Sequence, residues 1–425
     1  MLQALRQRNF ALLWLGQFIS ITGDWVLGIA LPFYVYQVTG SVLASGTMFV
    51  AEGIPPLFLG SLAGVFVDRW DRRRTMIAAD LGRALVLLLV LAVRSRDRLW
   101  LIYPVAFLEA TMAQFFNPAR NALIPRLVGE DRLMAANSLS GLADNLARLL
   151  GPAIGGALLG LVGLTSVVLL DVASFLVSAL MIALMAVPAT RAEVPAAPAT
   201  VGGVCQDLVA GLRVIMRSRL LTSLFLVVAI VLLADSGLSV VHLAFVDQVL
   251  HGGALERGWL WTARGLGGLA GGLLVAQVGG SWQPKPLIVV GLATMGVVYV
   301  AMAHIPRLGV ALALMALMGV AVVAWTITGL TLAQRSVPDR FRGRVFGAYG
   351  NVIALMSLTG MGLGTALGDS LGPALLFDAA GLVTLAAGVL AWLLLPAGGS
   401  QISTCGLRCP LRRQTARPRR PSHGG

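Results

Sequence analysis

The chain has 425 residues, 57% of them apolar and only 12% charged, with a mean hydropathy of +0.84 and a formal net charge of +13. That composition lies far outside the range of soluble globular domains and reads as a polytopic membrane protein. The positive charge invites a nucleic-acid reading, which fails once the basic residues are placed: 28 of the 32 fall outside the apolar runs, and most of those on one side of them.

A membrane-crossing helix needs about 20 mostly apolar residues. Twelve such stretches follow one another: residues 11–38, 42–67, 75–93, 99–123, 138–161 and 167–187, then 220–249, 258–278, 286–303, 310–333, 345–367 and 373–395. The first follows Arg6 and Arg8, is too long for a signal-peptide core and has no small-residue cleavage pattern after it, so it is expected to remain as a signal anchor. With the N-terminus inside, 23 of the 32 basic residues lie in the N-terminal segment, the cytoplasmic connections, the middle linker or the tail, and five lie outside: Arg94, Arg96, Arg98, Arg257 and Arg307. This bias predicts both termini in the cytoplasm and a multi-pass protein of the plasma or bacterial inner membrane. Cys205, Cys405 and Cys409 fall in expected cytoplasmic segments and read as reduced, unpaired thiols. No ligand-spaced partners accompany them, so neither a metal nor a cofactor is expected.

Residues 188–218, with Pro188, Pro195, Pro198, Gly202 and Gly203, read as a linker between two blocks. The expected organisation is a six-helix bundle at 1–187, the linker, a second bundle at 219–396, and a basic tail at 397–425 without apolar periodicity. The blocks repeat. Asp24 falls on Asp235 and Gln37 on Gln248 at an offset of 211; Gly46 falls on Gly258 and Gly53 on Gly265 at 212; Gly151 falls on Gly360 and Gly155 on Gly364 at 209. Near-constant register is the trace of an internal duplication. Two parallel six-helix repeats about an axis along the membrane normal form a secondary-transporter architecture.

Three stretches carry a family resemblance. Gly64-x-x-x-Asp68-Arg69-x-x-Arg72-Arg73 resembles the signature loop between the second and third helices of the major facilitator superfamily. Asn117-Pro118-Ala119-Arg120 with Pro125-Arg126-Leu127-Val128, and Val337-Pro338-Asp339-Arg340 with Arg342-Gly343-Arg344-Val345, resemble paired junctions of its macrolide-efflux and enterobactin-exporter branch. The resemblance covers residues 1 to about 396 and implies an all-α fold of twelve transmembrane helices. It implies that Asp68, Arg69, Arg72 and Arg73 form a cytoplasmic latch between the halves. Gly151-Pro152-x-x-Gly155-Gly156 resembles the antiporter motif, which marks exporters, although Ser138 and Ala147 stand where that motif usually has glycine.

Ionisable groups inside membrane helices cost at least about 2.5 kcal/mol each and are functional candidates by default. Asp24 and Asp235 are expected on opposite walls of a central cavity, where a carboxylate can hold a proton. Glu52 matches Arg264 in the repeat, and the two are candidates for substrate binding, a bridge across the halves, or separate pairings. Glu109 has no evident partner and is a proton or cation candidate. Asp80–Arg83 and Asp144–Arg148 read as local pairs, and His242 and His304 as packing or interfacial residues. No phosphate-binding loop, metal-ligand helix or nucleophile elbow occurs, so an enzyme is not expected. The expected function is proton-coupled efflux of a hydrophobic small molecule such as a drug, macrolide or siderophore, by alternating access, from a monomer in the bilayer. A metabolite importer or facilitator, or a non-transporting sensor or scaffold on the same fold, stays open.

Overall fold

The computed structural model describes residues 5–93, 96–129, 132–186, 213, 215–278, 283–337 and 342–395. Within them the chain is helical, with no strand. Twelve long helices follow in order: α1 (Arg8–Thr39), α2 (Val42–Arg69), α3 (Arg72–Leu88), α4 (Ile102–Val128), α5 (Leu133–Leu161), α6 (Leu164–Ala183), α7 (Arg219–Ala244), α8 (Ala254–Val278), α9 (Pro284–His304), α10 (Leu308–Ser336), α11 (Arg342–Leu371) and α12 (Pro373–Leu394). The twelve apolar stretches of the sequence each fall on one of them. Nearly all of the linker expected at 188–218, and all of the tail at 397–425, lie outside the described residues.

Helix ends follow local chemistry. Gly40 ends α1 at φ 68°, a left-handed conformation that costs glycine little, and its N–H reaches the Tyr36 carbonyl at 2.7 Å. Ser41 starts α2 by accepting from the Ala44 N–H at 3.2 Å, so a two-residue turn reverses the chain. Asp71 caps α3 in the same way, accepting from the Arg74 N–H at 2.8 Å.

Ten helices are long and apolar enough to cross a membrane. The two that fall short, α5 and α8, carry Asn145, Asp144 and Arg148 or Glu256, Arg257, Arg264 and six glycines. Their polarity is tolerable because they face protein: α5 packs on α8 between the two halves, as α2 packs on α11.

Within the first six helices α1 packs on α5 and α6, α2 on α4, and α3 on α4 and α6. The second six repeat every pairing: α7 on α11 and α12, α8 on α10, and α9 on α10 and α12. Lipid tails offer no hydrophobic drive for helix association, so close backbone approach at small residues has to supply it. Gly151 and Gly155 lie against Trp25 and the Val26 carbonyl of α1, where an added Cβ would collide. Their repeat mates Gly360 and Gly364 lie against the Leu233 and Gly237 carbonyls of α7. Duplicated glycines thus make duplicated crossings.

Contacts between the halves seal one end of the molecule, the end of the α1–α2, α7–α8 and α11–α12 turns. Gly156 meets the Ala254 carbonyl, Gly258 the Pro152 carbonyl, Gly46 the Thr365 side chain and Gly368 the Val42 side chain. Gln248 donates to the Tyr36 hydroxyl at 3.0 Å. Asp369 of α11 caps α2 from across the divide: its carboxylate accepts from Val42 N–H at 2.6 Å, Leu43 N–H at 3.1 Å and the Ser41 hydroxyl at 2.7 Å. A carboxylate at a helix N-terminus meets both unsatisfied N–H groups and the positive end of the macrodipole. At the opposite end, where α10 stops and α11 starts, lies a cavity of about 390 Å³ lined by Thr331, Gln334, Arg335 and Phe346.

Candidate functional site

The first half gathers acids around one cation. Arg83 of α3 is 5% exposed; it bonds Asp80 at 2.5 Å and lies 3.8 Å from Asp24 of α1. Its guanidinium sits 4.3 Å from the centre of the Phe175 ring and 5.1 Å from that of Phe116, which keeps water away and fixes its plane. The Asp80–Arg83 pair is therefore local, as its spacing suggests, but Arg83 also serves a third group.

Asp24, Glu109 of α4 and Asp171 of α6 bring one carboxylate oxygen each within 4.8 Å of the others. Asp171 accepts from the Ser174 hydroxyl at 2.9 Å, while its second oxygen, Asp24 Oδ1 and Asp80 Oδ2 are buried without a hydrogen-bond partner. Gly23 permits this approach of α6 to α1, since an added Cβ there would run into Asp171 Oδ1 and the Ser174 side chain. Glu52 of α2 lies within electrostatic reach of Asp24 and Glu109.

Two like charges 4.8 Å apart repel by about 3.5 kcal/mol at an effective dielectric of 20. A fully ionised triad carries three such repulsions against one guanidinium already bonded to Asp80, so the group favours uptake of positive charge. A proton needs only one of these oxygens. A hard divalent ion also suits carboxylate oxygens, but here it would have to complete its shell with water and sit beside the Arg83 guanidinium, which repels it.

The second half resolves the equivalent charge differently. Arg264 of α8 bonds both oxygens of Asp235 at 3.0 and 3.3 Å, and the Tyr299 hydroxyl of α9 donates to Oδ1 of the same carboxylate. Asp24 and Asp235 are repeat mates, yet Asp235 is neutralised within its own half and, among the described residues, Asp24 shares its one cation with Asp80. Arg264 is thus engaged by Asp235, and Glu52 faces the acids of the first half.

Asp171 is the group that sequence reading passes over. Its signal is a lone aspartate in an apolar run, matched by Asp378 at an offset of 207. Arg148 lies over the Trp25 ring at 5.2 Å. Of the loop between α2 and α3, Arg72 donates to the Ala122 carbonyl at 3.2 Å and Arg73 to the Ile182 carbonyl at 3.0 Å and the Ala183 carbonyl. Both hold helix ends inside the first half in this conformation, a favourable place for cations. The side chains of Gly64, Asp68 and Arg69 lie outside the described residues. The antiporter-like glycines divide their work: Gly151 and Gly155 face α1, whereas Gly156 and the Pro152 carbonyl face α8 across the divide.

Two matched sets of six membrane helices, joined at one end and enclosing buried charge, define a transporter rather than an enzyme. The family model described as transmembrane secretion effector, of the major facilitator superfamily, matches residues 1–413, and the chain belongs to that family. Among its relatives are an uncharacterized major-facilitator-type transporter, YfiS, of Bacillus subtilis (strain 168), 27% identical over 90% of this chain and 92% of the relative. The macrolide efflux protein A of Streptococcus pyogenes is 23% identical over 86% and 90%. The enterobactin exporter EntS of Shigella boydii serotype 18 (strain CDC 3083-94 / BS512) is 27% identical over 91% of each. A bacterial homologue of the iron transporter ferroportin in an inward-facing state superposes with a TM-score of 0.70 at 17% identity, covering 91% of this chain and 97% of that one. A ferroportin homologue in an outward-facing state gives 0.57 at 18% identity, covering 91% and 98%.

Proposed function

We propose that the protein is a proton-coupled exporter of hydrophobic small molecules, seen with its outer end sealed and its cytoplasmic end accessible. The observation that carries the reading is the triad Asp24–Glu109–Asp171, whose charge is unbalanced unless it takes a proton. The positive-inside bias supports a cytoplasmic position for the termini, and hence for the 390 Å³ cavity. Export by the macrolide and enterobactin relatives supports the direction.

A proton moving inward gains about 2.3 kcal/mol per 100 mV. Protonation of the triad relieves repulsion between α1, α4 and α6, and loss of the proton restores it, so the proton biases how these helices pack. Asp235 serves as a fixed anchor between α7, α8 and α9. Asp68, Arg69, Arg72 and Arg73 form the latch when the cytoplasmic end closes. The test is uptake of a fluorescent hydrophobic dye into inverted vesicles, the equivalent of export from the cell, with and without a collapsed pH gradient. Dye movement should stop when the gradient is collapsed, and Asp24→Asn should abolish it at unchanged expression; a variant that still transports at the original rate removes Asp24 from the mechanism.

A further inference from the structure

Helix α8 carries Arg257, Trp261 and Arg264 on one stripe, four and three residues apart. Arg264 is committed to Asp235, but Arg257 has no such partner. It is 1% exposed, its guanidinium lies 5.7 Å from the centre of the Phe33 ring of α1, and its Nε and Nη1 have no hydrogen-bond acceptor. One turn further on, the Trp261 indole N–H is also buried without an acceptor. That ring lies 6.0 Å from the ring of His242 on α7, which is itself 5% exposed with neither nitrogen bonded. His242 feels the charge of both Arg257 and Arg264. Phe245 and Phe377 close the far side of the imidazole at 5.8 and 6.2 Å.

The grouping is rich in donors, its one acceptor being the second imidazole nitrogen. A guanidinium stays charged at any accessible pH, the indole can only donate, and a neutral imidazole donates from one nitrogen. Among the described residues no carboxylate pairs with Arg257, and a buried charge left alone carries a large desolvation cost. The sequence places Arg257 in an outer loop; the structure buries it beneath the seal instead, against Phe33 of the other half.

We propose that Arg257, Trp261 and His242 form a site for a single monovalent anion, a halide or a carboxylate, held while the outer end is sealed. One unpaired cation matches one negative charge. The ring walls of Phe33, Phe245 and Phe377 exclude water and disfavour a doubly charged, strongly hydrated phosphate. Because the guanidinium and its aromatic cover belong to different halves, opening of the outer end separates them and releases the anion. The site depends neither on the direction of transport nor on the proton.

The test uses the purified full-length protein in nanodiscs, with gluconate replaced by chloride, or by formate, at constant ionic strength. Thermal unfolding is the readout. The wild type should show a saturable rise in Tm with at least one of the two anions, and Arg257→Gln should lose it. Trp261→Phe and Arg257→Lys should each weaken apparent affinity about tenfold, the effect of one hydrogen bond to a charged group. A response to both anions assigns the site to free small anions; a response to formate alone assigns it to a carboxylate carried by the cargo. No response to either anion, or an equal response in Arg257→Gln, overturns the proposal. Should Arg257→Gln fail to fold, unchanged affinity in both Trp261→Phe and Arg257→Lys overturns it equally.

Discussion

Asp369 is an exposed part of the outer seal and can be perturbed without touching the acid cluster. Asp369→Ala removes three hydrogen bonds to the first turn of α2, from Val42 N–H, Leu43 N–H and the Ser41 hydroxyl. A helix cap contributes about 0.5–2 kcal/mol, and a carboxylate at the positive end of the dipole adds about 0.3–1 kcal/mol. The carboxylate is solvent-exposed and partly screened, so a total of about 1–2 kcal/mol is expected for the three together. Since about 1.4 kcal/mol is a factor of ten, the ratio of outer-sealed to outer-open molecules should fall roughly 5- to 30-fold. Asp369→Asn keeps one acceptor and should cost about 1 kcal/mol, roughly fivefold. Helix α2 itself should persist, because Ser41 still caps it from its own chain. The assay is pulsed spin-label distance measurement between Leu43→Cys and Ser370→Cys, both exposed positions, in a background with the three native cysteines replaced. A longer-distance population should grow in the order wild type, Asn, Ala. An unchanged distribution in Asp369→Ala would refute the idea that this carboxylate holds the seal, leaving the Gly46–Thr365 and Gly368–Val42 contacts to carry it.

The acid cluster predicts stability changes of opposite sign: Asp171→Asn should raise the unfolding temperature by removing like-charge repulsion while reducing transport, whereas Asp80→Asn should lower it by leaving Arg83 without its 2.5 Å partner. Thermal unfolding beside a vesicle transport assay checks both, and two shifts of the same sign would contradict the charge count. Arg264→Gln orphans Asp235 and should destabilise the protein by about 3 kcal/mol, while Asp235→Asn with Arg264→Gln should recover most of the loss. Denaturation of the two variants in parallel decides it. Gly156→Val places its added atoms against the Ala254 carbonyl and Gly258, and should cost about 1–3 kcal/mol by overpacking and push the sealed end open, read by accessibility of a cysteine placed at Leu255.

Periodicity in the chain foretells the helices because each apolar run must satisfy its own backbone hydrogen bonds in lipid, and only a helix does so locally. The duplication is equally plain: Gly151 and Gly360, or Gly155 and Gly364, occupy matched crossings because the same small residue is needed wherever two backbones meet. Asp80 and Arg83 could be paired on paper, being one turn apart. Asp24, Glu109 and Asp171 could not, since they come from α1, α4 and α6 and meet only when three helices pack.

Symmetry in sequence also misleads about charge. Asp24 and Asp235 are repeat mates, but the cation beside Asp235 comes from α8 and the hydroxyl from α9, whereas Arg83 comes from α3 and is shared with Asp80. The chain by itself determined the number of helices, their pairing into two like sets and the family. Tertiary structure decided which acids lack a counter-ion, which arginine is buried alone and which end of the molecule is shut. The first set follows from local hydrogen bonding and side-chain size, which are properties of each segment; the second depends on distances of a few ångströms between segments far apart in the chain.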